Sequence, residues 1–530
     1  MPLTPQFLAG QSIMLRFPGP AFTREARAAF HQIQPGGVLL FGDNITSRTR
    51  IHDLCAELQQ EARSLDLPPL LIAIDQEGGL VSRLNADPAF VTPPGPMALS
   101  ATGNPGLIRE AARITGRQLA QLGINCNFAP VVDVNNNHRN PVIRTRSFGD
   151  SVQTVIDGSL AAIAGLHDTG VAATVKHFPG HGDTHVDSHL GLPVIPHDLD
   201  RLRTIELAPF QAAIDAGVPG VMTSHIVFPA LDDMPATLSE RILTGLLREQ
   251  MGFQGMIFTD SLSMDAIEDR YGHNDTAVLA KRAGVDMLEA NESLAIQLER
   301  HQALVTAIET GNLAPELFTS TIQRANQLRS RFHLSHDVPP LPLADPGLRG
   351  EAIRIARHAI TSQGTAPFAP LASGDTGLIV NFHRLRGSEA EDPVHREAIL
   401  RELTTQLLPN MDLALLEHNP TPASSQQAIE QARTAPVLIF LTRDATDYPE
   451  QIGIARQIID SAPDSARIIH VALRGPYDLG LIPGATDRLA TYGDPAVTLH
   501  ALFDILTGAA PVTGVSPITF QLHPTVPDRE

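Results

Sequence analysis

Only two cysteines, Cys55 and Cys126, occur in 530 residues. They allow at most one bridge, and a chain of this length builds its core without one, so reduced thiols in an intracellular compartment are expected. Basic residues are outnumbered 39 to 58, for a net charge of −19, and no basic block reverses the balance. That sign argues against nucleic acid or another polyanion as partner. No stretch approaches the ~20 uninterrupted apolar residues of a membrane span. The opening MPLTPQFLAGQSIMLRF has neither the positive n-region nor the apolar core of a secretory signal, so a cytoplasmic location is expected. The C-terminal third has no glycine-rich phosphate loop, which leaves a nucleotide cofactor without support there.

What is present is length and alternation. A chain of 530 residues with 43% hydrophobic content exceeds a single core, and two domains are the default. Eight short β-rich runs occupy the first part: Ile13–Phe17, Val38–Phe41, Leu70–Asp75, Cys126–Val132, Val171–His177, Gly220–His225, Met256–Asp260 and Val285–Leu288. Between them lie stretches of helical periodicity such as Pro105–Leu122, Val152–His167, Leu202–Ala216 and Asn274–Ala283. Eight strands alternating with helices predict an α/β fold whose N-terminal part is a (β/α)8 TIM-type barrel, with a doubly wound open sheet as the alternative. The break HDVPPLPLADPG (336–347) reads as a proline-rich linker. Residues 1–335 would then be the catalytic barrel. Residues 348–530 would be a smaller α/β sandwich, with strands at Leu378–Phe382, Leu413–Leu416, Val437–Thr442 and Ile468–Leu473.

A barrel collects function where its strands end. Here the runs end at Asp75, Asp133, Lys176–His177, His225 and Asp260. The richest end is KHFPGHGDTHVDSH (176–189), where glycine and proline mark a shaped loop. Lys176 and His177 would be costly to bury without partners, so they are expected to face a polar cavity. Asp187 and His189, two residues apart in an extended segment, project the same way. A carboxylate beside an imidazole makes a proton donor active near neutrality. His181 and His185 have acidic neighbours too, so spacing alone does not select His189. A helix would place His181, His185 and His189 on one face as zinc ligands. Gly180 and Gly182 argue against that helix, and no metal is expected. Asp260, at the turn from strand to helix in FTDSLSM, suits either a nucleophile or a helix cap. In IDQEGGLVSR, Asp75 could hold vicinal sugar hydroxyls, and Arg83 could contact ligand or pair with Asp75 or Glu77. Arg146 in NPVIRTRSFGD is either a ligand clamp or a loop anchor.

In this order, IDQEGG…R, NPVIRTRSFG, KHFPGHGDTHVDSH and FTDSLSM resemble glycoside hydrolase family 3, in its β-N-acetylglucosaminidase branch. The later VALRGPYDL and TYGDPAVTLHALFDILTG are similar to that family's C-terminal sandwich, so the resemblance spans nearly the whole chain. It implies a retaining exo-β-N-acetylglucosaminidase without metal or organic cofactor, with Asp260 as nucleophile and His189 as acid/base, assisted by Asp187. Asp75, Arg83, Arg146, Lys176 and His177 match its sugar-binding positions. The implied substrates are terminal β-GlcNAc on muropeptide fragments or chitin oligomers, cleaved by a monomer or homodimer. A phosphorylase or transglycosylase releasing GlcNAc-1-phosphate is the alternative, because a deprotonated histidine would not repel phosphate. A β-glycosidase of other sugar specificity is a further one. Three positions depart from the family: Leu80 where arginine is frequent, Arg144 where glycine is, and Glu289 where related chains commonly carry an apolar residue.

Overall fold

The computed structural model describes residues 3–519 except 86, 186–190, 265–266, 268–269, 365, 384–389 and 392–395. The chain forms two compact units: one holds the residues up to 77, 82–90 and 108–345, and the other 78–81, 91–107 and the residues from 346 onward.

The first unit is a (β/α)8 barrel. Its strands are β1 (Ile13–Leu15), β2 (Gly37–Leu40), β3 (Leu71–Ile74), β4 (Cys126–Asn127), β5 (Ala172–Phe178), β6 (Gly220–Thr223), β7 (Met256–Phe258) and β8 (Leu288–Ala290). They pair in parallel in the order β7-β6-β5-β4-β3-β2-β1-β8. A parallel bridge from Phe258 to Met287 brings the two ends of that order together. Strands covered on both faces read as continuous apolar runs, which is why AATVKHF in β5 is buried throughout. Helices follow where apolar residues recur every three or four positions. Pro105–Leu122 buries Ile108, Ala111, Ile114, Leu119 and Leu122. Thr23, Ser47 and Ser151 each cap a helix by accepting a backbone N–H.

One expected helix divides. Leu202–Ala216 is instead the end of Leu199–Thr204 followed by Ala208–Asp215. Pro209 sits in the first turn of the second helix. It has no N–H for the preceding turn and its ring crowds that turn, so the chain restarts there.

Alternate residues of the strands point into the barrel. Its lower interior is filled by Met14, Leu39, Leu71, Ala73, Cys126, Phe128, Ala172, Met222, Met256, Phe258 and Met287. The Phe128 and Phe258 rings stand 5.1 Å apart. Carrying the two-residue period upward from Ala73, Ala172 and Phe258 reaches Asp75, Lys176 and Asp260. The same face therefore turns from apolar to charged at the C-terminal mouth.

Both cysteines are free and buried. Burial pushes the Cys126 thiol up to about 12 and the Cys55 thiol higher still, so neither supplies thiolate at neutral pH. In the folded protein at pH 7.5, iodoacetamide should modify neither, and both should label in denaturant. Labelling of native protein would contradict this packing.

The second unit carries a six-stranded sheet: β9 (Thr361–Ser362), β10 (Gly377–His383), β11 (Met411–Glu417), β12 (Val437–Thr442), β13 (Arg467–Ala472) and β14 (Asp487–Ala490). The order is β9-β14-β13-β12-β10-β11, parallel except for β9 against β14. β9 and β14 were not anticipated, because two residues and the polar-led DRLA carry no periodic signal. The early helix Pro96–Ala101 belongs to this unit, where Met97, Ala98 and Ala101 share a cluster with Ala359, Ala472, Leu479, Ala490 and Tyr492. Among the described residues, no helix is long and apolar enough to cross a membrane.

Candidate active site

The mouth of the barrel is organised around Lys176, 2% exposed at the end of β5. Its Nζ lies 2.6 Å from Asp75 Oδ1 and 2.7 Å from Glu77 Oε1. Asp75 also faces Arg83, 3.5 Å away. Glu77 takes both prongs of Arg146, with Nε to Oε2 at 2.9 Å and Nη2 to Oε1 at 2.8 Å. Three cations and two carboxylates thus interlock, each partner offsetting the desolvation of the others. Burial opposes ionisation of Glu77, but Arg146 and Lys176 prevail and hold its carboxyl at about 2. Burial likewise opposes Asp75, and Lys176 and Arg83 keep it below the ordinary carboxylate range. Both are ionised at neutral pH. Glu77 received no role of its own from the sequence. It could have been found there: Asp75 and Glu77 stand two apart in an extended stretch and share a face.

Gln76 ties this stretch down. Its backbone exchanges hydrogen bonds with the Asn127 side chain, both 2.9 Å, and its Oε1 accepts the Arg83 and Leu84 amides. The Arg83 guanidinium lies over the Phe41 ring, 5.5 Å from its centroid.

His177 packs on Asp133, with Nδ1 to Oδ2 at 2.8 Å. On its other side Arg146 Nη2 is 3.4 Å from Nε2. A guanidinium only donates, so Nε2 accepts and the ring proton sits on Nδ1, facing the carboxylate. Asp133 also accepts the His181 amide at 2.7 Å. It thereby joins β4's continuation to the loop after β5, a role not assigned to it from sequence.

That loop is held tightly. A Cβ on Gly182 would lie 1.8 Å from Val134 O, and one on Gly180, whose φ is +142°, 2.8 Å from Glu206. Only glycine fits at these close approaches. Asn140 Nδ2 donates to the carbonyls of His181 and Gly182 at 2.8 and 3.0 Å. His181 Nδ1 meets Thr184 Oγ1 at 3.0 Å, and His185 Nδ1 meets Asn137 at 3.2 Å. Asp183, His197 and Glu206 bring ligand-type atoms within 4.8 Å of one another. His197 Nε2 bonds Asp183 at 2.7 Å, and Arg201 lies 3.7 Å from Asp183 and 3.3 Å from Glu206. The Arg201 guanidinium supplies the positive charge this cluster calls for. Asp187 and His189 lie outside the described residues.

Asp260 follows β7, half-buried, with Oδ1 accepting the Ser261 amide at 2.8 Å. The Ser261 carbonyl accepts in turn from His225 Nε2 at 2.8 Å, which ties the Asp260 turn to the end of β6. Arg144 adopts φ +42°, the left-handed region that favours glycine, at a backbone cost of about 1–2 kcal/mol. Nothing in the structure explains Leu80.

Carboxylates, a lysine and arginines gathered at the strand ends of a parallel barrel mark the C-terminal mouth, where enzymes of this fold carry their active sites. Comparison with known proteins narrows this. Residues 8–328 match the Glycosyl hydrolase family 3 N terminal domain. Beta-hexosaminidase A of Pseudoalteromonas piscicida is 32% identical over an alignment of 593 residues, covering 98% of this chain and 97% of that one. The solved structure of a glycoside hydrolase family 3 beta-N-acetylglucosaminidase from Paenibacillus sp. str. FPU-7 has a TM-score of 0.92 at 34% identity, covering 98% of this chain and 99% of that one. A Beta-N-acetylglucosaminidase/beta-glucosidase of Cellulomonas fimi is 28% identical and covers 85% of this chain and 83% of its own length. The chain belongs to glycosyl hydrolase family 3.

Proposed function

We propose that this protein is a retaining exo-β-N-acetylhexosaminidase that removes terminal β-linked GlcNAc from muropeptide fragments or chitin oligomers in the cytoplasm. The observation that carries the reading is the placement of Asp260 on the barrel face that also presents Asp75 and Lys176 at the mouth. Asp75, kept ionised by Lys176 and Arg83, accepts hydrogen bonds from vicinal hydroxyls of the non-reducing sugar. Lys176, Arg146 and His177 complete the grip on its hydroxyls and acetamido group.

Oδ1 of Asp260 is engaged by Ser261, so we assign the attack on the anomeric carbon to Oδ2. As that bond forms, the bond to the leaving oxygen breaks and the His189 imidazolium, oriented by Asp187, delivers its proton to that oxygen. Neutral His189 then takes a proton from water, water attacks the same carbon, and Asp260 is released. Two inversions give net retention, and an imidazole fills the acid/base role of the usual second carboxylic acid.

Hydrolysis of 4-nitrophenyl β-N-acetylglucosaminide followed by NMR should show the β-anomer of GlcNAc first. First appearance of the α-anomer would refute the double displacement. GlcNAc-1-phosphate as the main product in phosphate buffer would replace hydrolysis by phosphorolysis.

A further inference from the structure

Glu289 is a buried acid at the mouth with no place in the steps above. It occupies the middle of β8, two residues after Met287, one of the side chains that fill the barrel, and pairs in register with Met14, another. Both relations put its side chain on the interior face, in the layer that Asp75, Lys176 and Asp260 reach from β3, β5 and β7. Glu289 is 3% exposed. Its Oε1 has no hydrogen-bond partner among the described residues, and neither does Oδ1 of Asn291, two positions further along the same face.

The surroundings fix its charge. Asp75 and Asp260 face it from β3 and β7, the Cys126 thiol from β4, Lys176 from β5, and Asn291 hydrogen-bonds it from its own segment. Lys176 is the one cation of that set and is already shared by Asp75 and Glu77. Burial, reinforced by Asp75 and Asp260, pushes the Glu289 carboxyl well above the ordinary range. Its surroundings therefore favour the protonated form, which has one O–H to donate and a carbonyl oxygen to accept. Leaving such buried polar atoms unsatisfied is costly, because their desolvation is not repaid. A group that enters the mouth and pairs with them recovers that cost only when bound.

We propose that Glu289, supported by Asn291, is a specificity-determining residue that hydrogen-bonds a hydroxyl of the non-reducing sugar from the floor of the mouth. The chemistry recognised is a hydroxyl, because a neutral acid facing two carboxylates can both donate to and accept from it, whereas an anionic group would be repelled. An apolar side chain at this position offers neither. The inference rests on the glycosidase reading of the mouth.

The test pairs Glu289→Leu and Glu289→Gln with 4-nitrophenyl β-N-acetylglucosaminide and its 3-, 4- and 6-deoxy analogues. Glu289→Leu should lower kcat/KM on the parent substrate about 10- to 100-fold, and the loss should vanish on one deoxy analogue. Glu289→Gln, which keeps a neutral donor and acceptor, should stay within about threefold of wild type, as tolerated isosteres do. Thermal unfolding supplies a readout independent of activity. A raised folded value gives stability that is present at low pH and lost as pH rises through that value, so Glu289→Gln should melt above wild type at pH 9 and converge with it at pH 5. An equal loss by Glu289→Leu on all four substrates, or none on any, overturns the assignment. So does an unchanged pH dependence of melting in Glu289→Gln. Wild-type inactivity on the parent substrate would instead sink the glycosidase reading itself.

Discussion

Asp260→Gly should reduce kcat/KM on 4-nitrophenyl β-N-acetylglucosaminide by roughly 10⁴-fold or more, the scale of removing a covalent nucleophile. So large a loss is expected because the neighbouring described carboxyls Asp75, Glu77 and Glu289 are already committed. Asp75 is tied to Lys176 and Arg83, Glu77 to Arg146 and Lys176, and burial raises the Glu289 carboxyl towards its protonated form. Asp260 is half-buried and accepts the local amide of Ser261, so the variant should melt within a few degrees of wild type. Azide should restore turnover by attacking the face that Asp260 vacated, giving the α-glycosyl azide. A variant that keeps more than a tenth of wild-type activity, or a β-azide, would move the nucleophile elsewhere.

Glu77→Ala should be the most destabilising single change in the mouth. It leaves Arg146 and Lys176, 7% and 2% exposed, without the carboxylate that pairs them. Breaking one partner out of a buried ion pair costs about 3–5 kcal/mol, which corresponds to roughly 10 °C in melting temperature. The pH dependence has a definite sign. Glu77 is held at about 2 against an ordinary 4.5, so its stabilisation is complete above pH 4.5 and is lost as pH falls towards 2. The amount is roughly 3 kcal/mol. Melting curves of wild type should therefore steepen downward across that acid window, and those of Glu77→Gln should be flatter. Identical slopes would mean that Glu77 is not the ionised hub described above.

The eight barrel strands were legible because a parallel strand covered on both faces must be apolar along its length, and Ala172–Phe178 or Leu71–Ile74 show that in one dimension. The charged ends were legible for the complementary reason: Asp75, Lys176 and Asp260 interrupt runs that have no other use for charge. The break inside 202–216 was not, since Pro209 can open a helix as well as end one. Nor were β9 and β14, whose burial comes from neighbours distant in the chain. Asp187 and His189 remain proposals on sequence grounds.

By itself the sequence determined the alternation that makes a barrel, the face on which its ionisable groups collect, and the glycines that let the loop after β5 pass Val134 and Glu206. These are local properties, set by side-chain period and backbone sterics. Only the tertiary structure decided which charges meet. Lys176 finds Asp75 across 101 positions of chain and Arg146 finds Glu77 across 69. Residues 78–81 and 91–107 group with a unit that otherwise begins at residue 346. Burial, reinforced by Asp75 and Asp260 on other strands, raises the Glu289 carboxyl above its ordinary range. Coulomb energy and desolvation depend on distance in space, which barrel closure sets and sequence separation does not.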